Sequence, residues 1–399
     1  MPAIRSKDDK LQLLYQGSVK RVFACDKQKD RLWFEFSDDY SVFDWGKMPD
    51  TIANKGRSLT VLGAHFFHEL SDPVFWRQLK QSKELADLNS AWLRERFESA
   101  VYAKLCSAGM PSHFARLTNT GGDELSLGAA ATSSEALLME VQRAEVFRPE
   151  PVVVLGQPVY QYPAVDDKSI RRLVPLEVVF RFGMPAGSSL KERLDRDPDY
   201  ARQLGLKHTP EPGKLFDRAV IELFTKLEPK DRLLGISEAL NISTLEAEQF
   251  NTLTELSMLA ALGLRQIFAE KGIELWDGKF EFIFDGRDIV LADSIGPDEL
   301  RLLYKGLQLS KEMIRQVYRG TEWESSLKKA QKLAADRGTC SWKEICSDEL
   351  KSQPAPLPSE FKAKIDLLYG VLANHMTGQQ LFAQQPSLEA FAQSLMEKK

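Results

Sequence analysis

The chain has 399 residues and a formal net charge of −4, with 53 basic residues set against 57 acidic ones and no long block of either sign. That balance excludes broad electrostatic binding to nucleic acid or to a membrane surface, and leaves room for a local anion pocket. The length allows a large core and two or three structural units.

The N-terminal stretch MPAIRSKDDKLQLLYQG has no apolar core of signal-peptide length, and the apolar run 256–264 is too short to span a bilayer, so a cytoplasmic protein is expected. Cys25, Cys106, Cys340 and Cys346 are scattered and lack C-x-x-C spacing, which reads as reduced thiols. Residues 14–36 read as two strands that turn at Gly17-Ser18 and leave through alternating Val19, Arg21 and Phe23. Glycine beside Lys20 lets a backbone approach a phosphate, although a plain hairpin has the same signature. Ser41 and Asp44 lie in the following loop, and Lys55-Gly56 opens an amphipathic helix whose first N–H groups suit an anion or a simple cap. His65 and His68 on that helix sit among phenylalanines and read as packing residues.

Residues 71–110 are helical in pattern, 118–134 a loop or hairpin tip, and 136–143 a short apolar strand that could line a nucleotide pocket. Residues 150–172 suggest an inserted β excursion. Val174-Pro-Leu-Glu-Val-Val-Phe-Arg181 is a buried-strand pattern, and it is followed by Gly187-Ser188 at the start of a helix. A strand-end arginine, a hydroxyl and free helix N–H groups together could bind a phosphate. Residues 216–226 read as a helix-like run closed by Lys226, and 245–271 as the clearest helix of the chain.

The segment 273–302 places Asp277, Lys279 and Glu281 on one strand parity and Phe280, Phe282 and Phe284 on the other. Asp285-Gly286 signals a turn, and Ile289, Leu291 and Asp293 return at a period of two, so a β-hairpin is expected. A three-residue loop would set Lys279 opposite Asp293 with Glu281 diagonal to it, and Glu281 with Asp293 would suit Mg²⁺. Beyond residue 302 the chain is nearly all helical, apart from a proline-rich linker over 352–359.

In order and spacing these segments resemble the SAICAR synthetase family. The likeness covers residues 14–70 and 174–303 and is most specific in Val174–Arg181 with Gly187-Ser188, in Asp277-Gly-Lys-Phe-Glu-Phe282, and in Leu291-Ala-Asp293 with Gly296-Pro-Asp-Glu-Leu-Arg301. The resemblance implies an α+β fold with an N-terminal antiparallel sheet unit over 1–135, an ATP- and substrate-binding unit over 136–305 and a helical C-terminal extension over 306–399, with ATP in the cleft. It implies ATP and Mg²⁺ as cofactors and small-molecule partners, a phosphorylated ribotide and an amino acid. A homo-oligomer is compatible with it.

By the same resemblance Gly17, Ser18 and Lys20 lie at the ATP phosphates, and Glu281 and Asp293 hold metal and nucleotide. Lys279 lies near the reacting carboxylate and Arg181, Ser188 and Arg301 hold the ribotide phosphate. Ser41, Asp44, Lys55, Gly56, Lys226 and Asp277 complete the substrate-binding set. The chain departs from the family pattern at Ser18, Ser294, Gly296 and Asp231-Arg232, and it carries one extra residue between Arg181 and Ser188. These departures keep open a paralogous ligase with another carboxylate or amine, and a nucleotide-binding protein without ligase activity.

Overall fold

The computed structural model describes residues 9–165, 167–185, 187–339 and 341–396. The first eight residues of the N-terminal stretch, Ala186 of the phosphate-loop reading, and Cys340 lie outside them. The described residues form two compact units, one made of residues 1–62, 116–141 and 307–399, the other of 63–115 and 142–306. Both are discontinuous in sequence, whereas the ranges read from the sequence were contiguous.

The first unit carries an antiparallel sheet in which Gln12–Gln16, Lys20–Ala24 and Arg31–Phe36 pair in sequence, continued by Leu137–Gln142, Phe114–Asn119 and Glu124–Leu125. Trp33 is fully buried, and with Cys25 and Leu138 it forms a local core. The helices Glu312–Tyr318, Glu322–Asp336, Ser359–Thr377 and Leu388–Met396 belong to the same unit.

The second unit is built on a sheet whose order is Leu233–Leu234, Leu215–Thr225, Leu176–Gly183, Glu274–Phe284, Leu300–Tyr304, all neighbours antiparallel. Ile289–Ala292 pairs with the far half of Glu274–Phe284. The period-two reading of that strand holds. Phe280 stacks on Phe180 at 4.7 Å between ring centroids and meets Phe282 edge-on, so the aromatic parity forms one apolar face. The helix Ala247–Ala269 covers that sheet with its buried stripe of Leu253, Leu256, Leu259, Ala260, Leu264 and Phe268. Among the described residues no helix is long and apolar enough to cross a membrane.

Where two strands were expected over 14–36 there are three, and the expected loop or hairpin tip over 118–134 contains the short helix Leu127–Thr132. Two further local expectations are corrected. Residues 216–226 are not helical: Leu215–Thr225 is a strand paired along its length with Leu176–Gly183. Its polar residues Arg218 and Glu222 fall four apart, which imitates a helical face, but Glu222 is buried on the sheet. The hairpin loop after Phe284 has four residues, 285–288, rather than three. The Asp285 carboxylate accepts from the Arg287 and Asp288 N–H groups at 3.0 and 2.7 Å, and Gly286 at φ +94° sits where a Cβ would meet the Ser169 carbonyl. Glu281 therefore pairs with Ala292, and Lys279 does not face Asp293.

Candidate active site

Register explains how the sheet of the second unit acquires a charged face. Arg181 pairs with Asp277, Val179 with both Lys279 and Glu222, and Asp277 with Arg301. Residues directly opposite in an antiparallel ladder point to the same side, and Glu177, Glu281 and Lys226 share that parity. One face of three adjacent strands thus carries carboxylates, ammoniums and guanidiniums, backed by the phenylalanine face.

The charges divide into two groups. In the first, Glu177 is a buried carboxylate bridging two lysines, with its Oε1 accepting from Lys226 Nζ at 2.8 Å and from Lys279 Nζ at 2.7 Å. Lys226 also lies 2.6 Å from Glu281 Oε1. Burial alone would pull the Lys226 ammonium down, but Glu281, Glu177 and Asp293 outweigh it and hold its pKa far above the usual lysine range. Lys279 is raised too, because Glu177 overcomes burial and the repulsion of Lys226. Burial pushes the Glu177 carboxyl up, and the two lysines more than reverse this and keep it ionised.

Asp293 joins this group without belonging to the ladder. It follows the strand Ile289–Ala292 with a left-handed backbone, φ 64°, which frees its side chain from strict alternation. Its carbonyl accepts from His113 Nε2 at 3.0 Å, and its field reaches the Lys226 ammonium. Glu281 and Asp293 thus both act on the Lys226 ammonium, and both carry hard oxygen donors. Among the described residues no group of three metal-ligating His, Cys, Asp or Glu side chains comes together, so an all-protein cage is not what this site offers.

In the second group, Asp277 Oδ2 receives Arg181 Nη1 at 2.9 Å and lies 3.2 Å from Arg301 Nη1. Arg181 Nη1 also donates to Ser188 Oγ at 3.4 Å. Ser188 caps the helix Ser189–Arg196, accepting the Leu190 N–H at 3.3 Å. Arg181, Ser188, Asp277 and Arg301 are therefore brought together. Behind them Glu222, with a side chain 0% exposed, binds Arg181, Arg193 and Tyr200.

The remaining predicted residues lie in the first unit. The Gly17 N–H donates to the Lys20 carbonyl at 2.8 Å, closing the turn that contains Ser18, and the Lys20 ammonium lies 4.5 Å from the Phe34 ring centroid. Ser41 Oγ accepts the Gly46 N–H at 3.2 Å. Phe43 and exposed Asp44 are both left-handed, at φ 53° and 57°, and Phe43 and Trp45 pack on Trp323 with centroids 6.0 and 5.6 Å apart. Lys55 is fully buried, its Nζ 5.5 Å from the Tyr369 ring centroid. The Gly56 N–H donates to Asp38 Oδ1 at 2.9 Å, and a Cβ at Gly56 would lie 2.2 Å from the Phe36 carbonyl oxygen. The start of that helix is thus capped by an internal carboxylate and pressed against a strand.

Sequence reasoning missed Glu177, Glu222, Arg193, Tyr200 and His113. Glu177 and Glu222 had a legible signal, each being a lone acid inside an apolar strand run, which is costly unless paired.

A sheet face with paired lysines and acids beside an arginine cluster carries the charged donors that anionic groups require. Comparison with known proteins agrees. The SAICAR synthetase family model matches residues 13–153 and 161–331. A putative phosphoribosylaminoimidazole-succinocarboxamide synthase from Archaeoglobus fulgidus is 30% identical over 386 residues, covering 96% of this chain and 99% of the relative. The phosphoribosylaminoimidazole-succinocarboxamide synthase of Thermoplasma acidophilum is 26% identical over 378 residues, covering 92% and 99%. In fold, the SAICAR synthase of Saccharomyces cerevisiae complexed with SAICAR superposes with a TM-score of 0.54 at 18% identity, covering 96% of this chain and all of that one. The chain belongs to the SAICAR synthetase family and is an ATP-dependent ligase that forms a C–N bond.

Proposed function

We propose that this ligase joins the carboxylate of carboxyaminoimidazole ribotide to the amine of aspartate. The γ-phosphoryl group of ATP moves to a carboxylate oxygen and ADP leaves; the amine nitrogen then attacks the acyl carbon, inorganic phosphate departs and the nitrogen loses a proton. A carboxylate is a poor acylating agent, and the acyl phosphate removes that barrier without a covalent enzyme intermediate. Mg²⁺ held by Glu281 and Asp293 would neutralise charge on the transferring phosphoryl group.

The observation that carries this reading is the carboxylate bridge of Glu177 between Lys226 and Lys279. It holds two protonated ammoniums side by side on the face that carries Glu281, and such cations offset charge that develops during phosphoryl transfer. The ribotide phosphate is assigned to Arg181, Ser188 and Arg301, and the Lys20 turn to the phosphates of ATP.

ADP release that requires both carboxyaminoimidazole ribotide and aspartate is the expected result of a coupled assay, with loss of turnover on chelation of divalent metal. ADP release with the ribotide and a different amine would replace aspartate in this reading. That second reading is favoured by Asp231-Arg232, one of the departures from the family pattern, where the Arg232 guanidinium is held by Glu228 at 3.0 Å and Glu238 at 2.8 Å.

A further inference from the structure

We infer that Glu222 is a positioning residue for phosphate recognition: it fixes the planes of two guanidiniums, those of Arg181 and Arg193, so that the arginine cluster meets a phosphate already in place. The inference rests on the reading of Arg181, Ser188 and Arg301 as the phosphate pocket, and adds Glu222, Arg193 and Tyr200 to what makes that pocket work.

Each oxygen of the Glu222 carboxylate has two donors. Oε2 receives Arg181 Nε at 2.6 Å and Arg193 Nη2 at 2.8 Å; Oε1 receives Arg193 Nε at 2.7 Å and the Tyr200 hydroxyl at 2.7 Å. That fills the roughly four acceptor sites a carboxylate possesses. The two-point grip of Arg193 sets one plane, and Arg181 is held in another, with Nε on Glu222 and Nη1 on Asp277 and Ser188. Three of the five N–H donors of Arg181 are thus committed to fixed acceptors on separate elements.

The guanidiniums of Arg181, Arg193 and Arg301 gather on Glu222 and Asp277 in a mostly buried group. Planar donors set in advance bind an arriving anion without further ordering cost. Tyr200 contributes a neutral donor, completing the shell of Glu222 without adding charge.

The test compares binding of ribose 5-phosphate and ribose by calorimetry in the wild-type protein, in Glu222→Gln and in Tyr200→Phe. Wild type should prefer the phosphorylated sugar; Glu222→Gln should lose about tenfold or more of that preference, and Tyr200→Phe a smaller part, with ATP affinity within about twofold of wild type in both. A purely structural role for Glu222 would lower thermal stability and weaken ATP and sugar phosphate alike. If Glu222→Gln does not yield folded protein, Arg193→Gln, which strips the bidentate partner from Glu222 without touching Arg181, is read by the same criterion. Full retention of the phosphate preference in a folded variant overturns the role of Glu222 alone. Absence of any preference in wild type overturns the phosphate pocket and this inference with it.

Discussion

At the scale of single residues, the most consequential group in the site is a carboxylate that touches no substrate in the proposed reaction. Glu177 holds the ammoniums of Lys226 and Lys279 on one oxygen, and two half-buried cations this close repel each other without it. Glu177→Gln keeps the shape and removes the charge, so the pKa of Lys279 should fall and the alkaline limb of the activity profile should move to lower pH. Turnover at neutral pH should drop by about 10–100-fold, the range typical when an outer partner that orients a site group is lost. A variant whose kcat and pH profile both match wild type would show that the lysines are held by something else. What could not be read was the pairing of Glu177: its place as a lone acid within Val174–Arg181 is plain, but only the neighbouring strands reveal its two partners.

At the scale of elements, legibility followed periodicity. The strand Glu274–Phe284 announced its polar and aromatic parities because side-chain alternation is local. The position of Asp293 was not legible, since it depends on whether the loop 285–288 holds two, three or four residues and on a left-handed backbone beyond the ladder. Leu215–Thr225 was misread because the four-residue spacing of Arg218 and Glu222 imitates a helix, and what decides it is pairing with a strand distant in sequence. The helix Lys55–Ser71 was read correctly, as was the packing of His65 against Phe66, whereas His68, expected to pack as well, is exposed.

That helix carries a pH prediction. Burial, with smaller contributions from Lys271 and His68, pushes the His65 pKa from 6.5 down to about 4, and Glu69 at 3.8 Å does not offset it. The unfolded chain therefore binds a proton that the folded chain refuses between those two values, and this part of the stability is lost as pH falls from about 6.5 to about 4. Going from pH 7 to pH 5, wild type should lose about 2 kcal/mol more than His65→Gln, measured by denaturant unfolding. Equal losses in the two proteins would show that His65 is protonated in the fold.

For the whole molecule, the partition into two discontinuous units gives the C-terminal helices a structural task. Trp323 packs on Phe43 and Trp45, Tyr318 hydrogen-bonds Tyr40 at 3.0 Å, and Tyr369 lies over Lys55, so residues 307–399 complete the core of the first unit. A chain ended after Gly306 would strip Tyr40, Phe43, Trp45 and Lys55 of these partners and open the core they share. It should show a near-UV circular dichroism spectrum lacking the signals of packed aromatics from the first unit and rapid proteolysis within residues 9–62. Native-like spectra and protease resistance there would mean that the sheet stands without the helices.

The same partition has a consequence for the order of events during synthesis. Residues 63–115 and 142–306 leave the ribosome before the last segment of the first unit exists, and translation at about 5–20 residues per second separates residue 141 from residue 307 by on the order of ten seconds. For that interval all six strands of the first sheet already exist but the helices that complete the core of its unit do not, while the charged sheet of the other unit is already able to close. An N-terminal sheet that waits for C-terminal helices leaves apolar surface open to wrong partners for as long as the wait lasts.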